Sequence, residues 1–254
     1  MKQNIIIPGM SKKSYLVFAC CVMVLSAACV GNYRDNHKEI DPDGIYFDYN
    51  IVGDEEDNLI TVKLQYRIGG PNGWTWLIPN QGKVEFDGEM IKADSSKRNG
   101  IWYEVNKPLD EFEGQHVIVF TNSGKTYKEV FDFRVVSLKT KVPRVIKRSD
   151  LVFDLDGLNP GDHIRVLLTD TAFYSRGIDR VDTVGDGRIS ISRRELDNVT
   201  DGPVTIEFYR ETQKELKETT NKGGRLSISY GLRRIFELRD TVIASPPRKP
   251  GRKV

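Results

Sequence analysis

Residues 59–68 read Leu-Ile-Thr-Val-Lys-Leu-Gln-Tyr-Arg-Ile, with Ile60, Val62, Leu64, Tyr66 and Ile68 on one parity and Thr61, Lys63, Gln65 and Arg67 on the other. Alternation over ten residues is the period of a strand with one buried face, because successive side chains of a strand point to opposite sides. Residues 101–105, 116–121, 126–135, 164–168, 188–192, 204–209 and 226–230 continue the style. Asp87-Gly88 lies between two short apolar runs, and Asn122-Ser123-Gly124-Lys125 between two longer ones, so both read as hairpin turns. No long segment shows a period of 3.6. The helix candidates are short: 192–199, where Ser192 and Glu195 are spaced for a capping box, and 212–219. Many short strands with frequent turns predict an all-β chain built of sandwiches.

One internal echo sets the expected domain count. Leu109, Phe112, Val117 and Val119 repeat the spacing of Leu196, Val199, Val204 and Ile206, and each set encloses a glycine, Gly114 or Gly202. A strand precedes each set and a hairpin partner follows it. The pattern fits a tight corner whose two apolar residues close the end of a sandwich before the next core strand. It resembles the late strands of bacterial immunoglobulin-like domains, where a leucine, a glycine and a segment like 114–119 lead into a turn like Asn122-Ser123-Gly124. That resemblance implies fold and nothing about function. The expected division is two tandem immunoglobulin-like β-sandwiches at 43–138 and 143–240, with 139–142 as the junction.

The N-terminus constrains location. Lys2, Lys12 and Lys13 precede a mostly apolar stretch at 15–28 that ends in small residues, and no acid occurs before Asp35. This is the layout of a secretory signal. At 14 residues the stretch is short of the roughly 20 that a spanning helix needs. Leu25-Ser26-Ala27-Ala28-Cys29 resembles the lipobox of a bacterial lipoprotein, with Ser26 where an aliphatic residue is usual and Leu25 one place earlier. The resemblance implies that 1–28 are a removed lipoprotein signal peptide and that Cys29 carries the lipid. In such families an Asp after the cysteine favours the inner membrane. Val30 stands there, which implies the cell outer membrane, with the periplasmic or surface face open. Residues 29–42 are polar and aperiodic and read as a flexible tether, its last 13 residues reaching about 45 Å at full extension. Residues 241–254 are rich in proline, lysine and arginine and read as a disordered basic tail.

After such processing Cys29 is the only cysteine, so no intrachain disulfide can form and packed cores must supply the stability. From residue 29 onward there are 35 basic against 36 acidic residues, and four of the basic ones sit in the tail. A mildly acidic body argues against a nucleic-acid partner.

Few constellations point to chemistry. Asp182, Asp186, Gly187 and Ile189 fall on a calcium-loop pattern, but Val184 and Arg193 replace two of its oxygen ligands, so a turn explains them better. Asp154, Asp156 and Asp162 flank Pro160-Gly161 and read as turn chemistry. His37, His116 and His163 are scattered, and no metal centre or cofactor is expected. There is no Gly-x-Ser-x-Gly elbow and no phosphate loop. The arginines of the second half are interleaved with acids and read as a solvated ion-pair surface. The remaining feature is aromatic. Trp74 and Trp76, after the loop Gly69-Gly70-Pro71-Asn72-Gly73, with Trp102 nearby in sequence, are the candidate binding residues. They form either a platform for sugar rings or a partner's apolar surface, or part of the first core, and tryptophan's usual burial favours the core.

The expectation is a non-catalytic, lipid-anchored envelope protein that binds the membrane through Cys29 and presents sandwich surfaces to an unidentified envelope protein or glycan. Glycan-binding accessory lipoproteins of polysaccharide-uptake systems are similar in general plan, though no binding motif of theirs matches here residue by residue. The alternatives are a structural subunit of a larger envelope assembly and, less favoured, a carbohydrate-active enzyme with a scattered carboxylate pair.

Overall fold

The alternating segments become strands whose apolar parities face two cores. The computed structural model describes residues 41–78, 82–172 and 174–240. In the first half run β1 (Ile45–Asp54), β2 (Leu59–Ile68), β3 (Trp74–Thr75), β4 (Lys83–Phe86), β5 (Glu89–Met90), β6 (Ala93–Ser96), β7 (Gly100–Pro108), β8 (Gly114–Asn122) and β9 (Lys125–Phe133). The second half holds β10 (Ser137–Leu138), β11 (Val145–Lys147), β12 (Leu151–Asp156), β13 (His163–Asp170), β14 (Ile178–Thr183), β15 (Arg188–Ile191), the one-turn helix α1 (Arg193–Leu196), β16 (Gly202–Glu215) and β17 (Gly224–Arg239). The described chain is thus all-β with sandwich-like sheets.

One large sheet runs through both halves in the order β14-β13-β16-β17-β1-β2-β7-β6, with β11 added on β17 and β3 on β2. A four-stranded sheet, β5-β4-β8-β9, covers its first half, and a three-stranded sheet, β10-β12-β15, covers the second. Aromatic rings mark both interiors. Phe120 of β8 meets Tyr66 of β2 at 4.3 Å and Phe47 of β1 at 5.1 Å between centroids. Phe153 of β12 meets Phe208 of β16 at 5.2 Å. On β2, Ile60, Val62, Leu64 and Tyr66 are buried as their parity predicts. Gln65, on the other parity, is buried too, because it donates to the Asn99 carbonyl and accepts from Arg67.

The halves are joined by backbone. β1 and β17 pair in parallel from Phe47–Gly224 to Asp54–Gly231. β17 is 16 residues long, and β16 and β17 pair along nearly their whole lengths, so the far end of their hairpin reaches over the first half. A side chain at Gly224 would meet the Phe47 Cβ at 2.9 Å, which fixes glycine where the two strands approach. The expected helix at 212–219 is not formed. Residues 212–215 are strand, because Thr212 and Gln213 pair with Ile228 and Ser227 and Lys214 reaches Glu129 of β9 at 2.8 Å. Those tertiary partners outweigh the helix preference of Gln-Lys-Glu.

Both corners of the internal echo are present. Leu109, Phe112, Leu196 and Val199 are all buried, and Gly114 and Gly202 share an unusual backbone, with φ of +125° and +130°. Ser192 and Glu195 form the capping box. The echo is displaced beyond the corners, however. Val204 and Ile206 face inward, whereas in the first copy His116, Ile118 and Phe120 do, and Val117 and Val119 lie on the opposite face. The second corner has one more residue before its glycine, and a shift of one residue exchanges the faces of a strand. His116 therefore takes a core position. Its ring stacks on Phe112 at 4.0 Å, its Nε2–H donates to the Phe112 carbonyl at 2.6 Å, and Nδ1 lies 2.7 Å from Asp87 Oδ2.

A buried carboxylate secures the seam. Asp48 of β1 is 2% exposed and is held by Arg225 of β17 at 2.9 Å and by Arg67 of β2 at 3.0 Å. Replacing it leaves two guanidiniums without their acid. Asp48→Ala is expected to lower stability by about 2–4 kcal/mol, read as a shift of the urea midpoint, whereas Arg225→Ala, at a more exposed group, costs less. Equal and negligible effects of the two would show that the cluster does not secure the seam.

Burial also protects three tyrosines. The Tyr49 and Tyr66 hydroxyls lie 3.4 Å apart with no exposure to solvent to speak of, and burial raises both pKa values far above the usual range. Burial pushes Tyr230, whose hydroxyl has no protein partner among the described residues, up to about 12. Raised folded pKa values stabilise the fold fully below the unfolded tyrosine pKa of about 10. That contribution is lost as pH rises from there through the folded values. The urea midpoint should fall above about pH 10, with tyrosinate absorbance appearing together with unfolding and not ahead of it.

Candidate functional site

The glycine-rich loop is built to hold a bulky side chain in one place. Gly69 and Gly70 have φ of +91° and +107°, and the Gly73 amide closes the turn on the Gly70 carbonyl at 2.9 Å. At Gly73 a Cβ would sit 1.9 Å from the Ile68 carbonyl oxygen, so only glycine lets the chain turn back so closely. β3 then pairs with the end of β2, Thr75 opposite Arg67 and Trp74 opposite Ile68. The Trp76 amide continues the ladder by donating to the Tyr66 carbonyl at 2.8 Å. From the other side, the Thr75 hydroxyl accepts the Ile101 amide at 2.7 Å. The loop is pinned to both β2 and β7.

Trp74, so placed, is 83% exposed, and Leu77 beside it in sequence is 52% exposed. Trp76 is half-buried and packs against the core. The same backbone thus leaves one indole in solvent and packs the other against the core. Trp102 of β7 is also half-buried and carries the Lys63 ammonium over its ring at 4.5 Å. Among the described residues no ring contact joins the three tryptophans. Trp74 is the one that offers a bare ring to a ligand. Cys29 lies outside the described residues.

The other sequence candidates have structural partners. Val184 is buried, Asp182 pairs with Arg180, and Asp186 accepts the Arg188 amide, so the calcium-like segment is a turn leading into β15. Asp154 pairs with Arg188, Asp156 with Lys139, and Asp162 accepts the Asn159 amide. The arginines of the second half are largely paired: Arg180 with Glu195, Arg233 with Glu207, Arg234 with Glu55 and Arg239 with Glu237. Arg210, one of the arginines expected on that solvated surface, is instead a buried cation. Arg210 is 9% exposed, and among the described residues no carboxylate lies within ion-pair distance of it. Its only signal was its place on the inward parity of β16, two residues after Phe208.

The three tryptophans should separate in measurement. Trp74→Ala is expected to change stability by no more than about 0.5 kcal/mol, and Trp76→Ala to cost about 2 kcal/mol, both by urea denaturation. An aqueous quencher should remove most of the fluorescence that Trp74 contributes and little of that from Trp76.

No protein-family model matches the chain, and no match was found among curated proteins. Several solved structures match the chain at low similarity. A tetra-tandem repeat from the extending region of a large adhesion protein is 14% identical with a TM-score of 0.26, over 77% of this chain and 50% of that one. The tandem immunoglobulin domains of titin are 11% identical with a TM-score of 0.23, over 77% and 94%. A fragment of a 1.5-MDa bacterial ice-binding adhesin, from a study of its retention on the host cell surface, is 13% identical with a TM-score of 0.22, over 76% and 63%. This chain spans about half the length of the first of these.

Proposed function

We propose that this protein is a non-catalytic, lipid-anchored module of the cell envelope that holds its joined sandwiches off a membrane and presents the Trp74 loop to a partner protein or a glycan. The observation that carries the reading is the 83% exposure of Trp74 on a loop fixed from two sides. Leaving so large an apolar ring in water is unfavourable, and holding it there with hydrogen bonds and positive-φ glycines favours a surface that is later covered. A rigid ring loses little freedom on binding, which is what makes tryptophan an effective anchor at interfaces. The anchoring part of the reading rests on the lipobox-like Leu25–Cys29 segment and on the polar residues after it. No described helix is long and apolar enough to cross a membrane.

Two measurements test it. Mass spectrometry of the mature N-terminus should find a diacylglycerol-bearing Cys29, and an unmodified cysteine or cleavage elsewhere would overturn the anchor. Capture from solubilised membranes and on a glycan array, with the wild type and Trp74→Ala in parallel, should recover a ligand that the variant loses by tenfold or more. Equal recovery by both would remove Trp74 from the binding surface.

A further inference from the structure

A cleft of about 330 Å³ opens between the two halves. Its floor is the β16–β17 hairpin, at Thr212, Lys214, Leu226 and Ile228; one wall is the end of β9, and the other is the turn between β12 and β13. The long hairpin creates it, since without that extension the two halves would share no floor.

The charge in this cleft is unusual. Arg210 lines it while nine-tenths buried, and it donates to two backbone carbonyls, Arg134 and Gly157, the latter at 3.3 Å. A guanidinium has five N–H groups, so three have no hydrogen-bond acceptor among the described residues. Burial lowers its pKa, yet an arginine remains charged at neutral pH. Buried charges are ordinarily paired, because an unpaired one carries a desolvation cost of several kcal/mol. Among the described residues no carboxylate closes the pair. Arg134 on the wall donates to Asn159 at 3.0 Å and likewise has no acid partner among the described residues. Lys214 is the third cation and is shared with Glu129.

The remaining lining says what kind of anion would fit. Asp132 and Asp162 also border the cleft, so a bare inorganic anion would meet repulsion as well as attraction. A ligand with both a carboxylate and hydroxyl groups satisfies both signs: the carboxylate takes the free Arg210 and Arg134 donors, and the hydroxyls donate to the aspartates and to Asn159. Ile228, half-buried on the floor, offers an apolar patch for the C–H face of a ring. The volume suits a single ring.

We infer that the cleft between the sandwiches is a binding site for a small hydroxylated carboxylate of the sugar-acid class, with Arg210 and Arg134 receiving the carboxylate. This site is separate from the Trp74 loop and does not depend on the reading of that loop or on the lipid anchor.

Calorimetric titration of the full chain with glucuronate tests it, with glucose, acetate and sulfate as parallel probes. Glucuronate should bind saturably, glucose should bind at least tenfold more weakly, and acetate and sulfate should also be weaker. Arg134→Ala, at an exposed side chain whose loss the fold should tolerate, should weaken glucuronate at least tenfold. Arg210→Lys, which keeps the charge and loses the planar fork, should do the same, with its urea midpoint measured to establish folding. Undetectable glucuronate binding, equal binding of glucose, acetate or sulfate, or unchanged affinity in Arg134→Ala would each overturn the assignment.

Discussion

The parallel pairing of β1 with β17 is the constraint from which the remaining architecture follows. It turns two covered half-sheets into one continuous sheet and places the first strand of the described chain beside the last. Parallel neighbours cannot be joined by a tight turn, so this contact demands a long excursion of chain between them. Everything from β2 to β16 is that excursion. Asp48 sits at the seam as a buried acid between arginines from the strands on either side, one of them 177 residues away in sequence. The hairpin end is held further by Glu129, which receives both the Lys214 ammonium and the Lys217 amide, and by Thr220, whose hydroxyl donates to the Ile45 carbonyl. Such an interface resists the hinge motion expected of beads on a linker.

Much of the local structure was legible because local rules decide it. The parity of β2 named its buried face. Asp87-Gly88 and Ser123-Gly124 marked hairpin turns whose residues all have positive φ, at 51°, 83°, 50° and 77°. Ser192 and Glu195 foretold a cap that closes on both sides. These features depend on a few neighbouring residues, and so they survive in a linear reading.

What escaped depends on distant partners. Residues 212–215 have the composition of a helix and become strand because β17 and Glu129 lie beside them. The echo was recognised at its corners and misread beyond them, since one additional residue before Gly202 reverses which parity faces inward. His116 consequently packs among Phe86, Phe112 and Phe131, where a valine would be the simpler occupant. Trp74 and Trp76 share a parity but not an environment, which parity alone does not decide. The burial of Arg210 was invisible for the same reason: it comes from the carbonyls of residues 134 and 157, which no spacing in the sequence brings to it.

The adjacency of β1 and β17 also sets a timetable. A chain that emerges from its N-terminus makes β1, β2 and β7 early, but one edge of β1, with its row of backbone N–H and C=O groups, has no neighbour until nearly the whole chain has appeared. The first core stays open on that side for as long, with Tyr49 and Phe47 close to the unfinished edge. A chain cut short before Gly224 would keep every residue of its first half while lacking the strand that closes it.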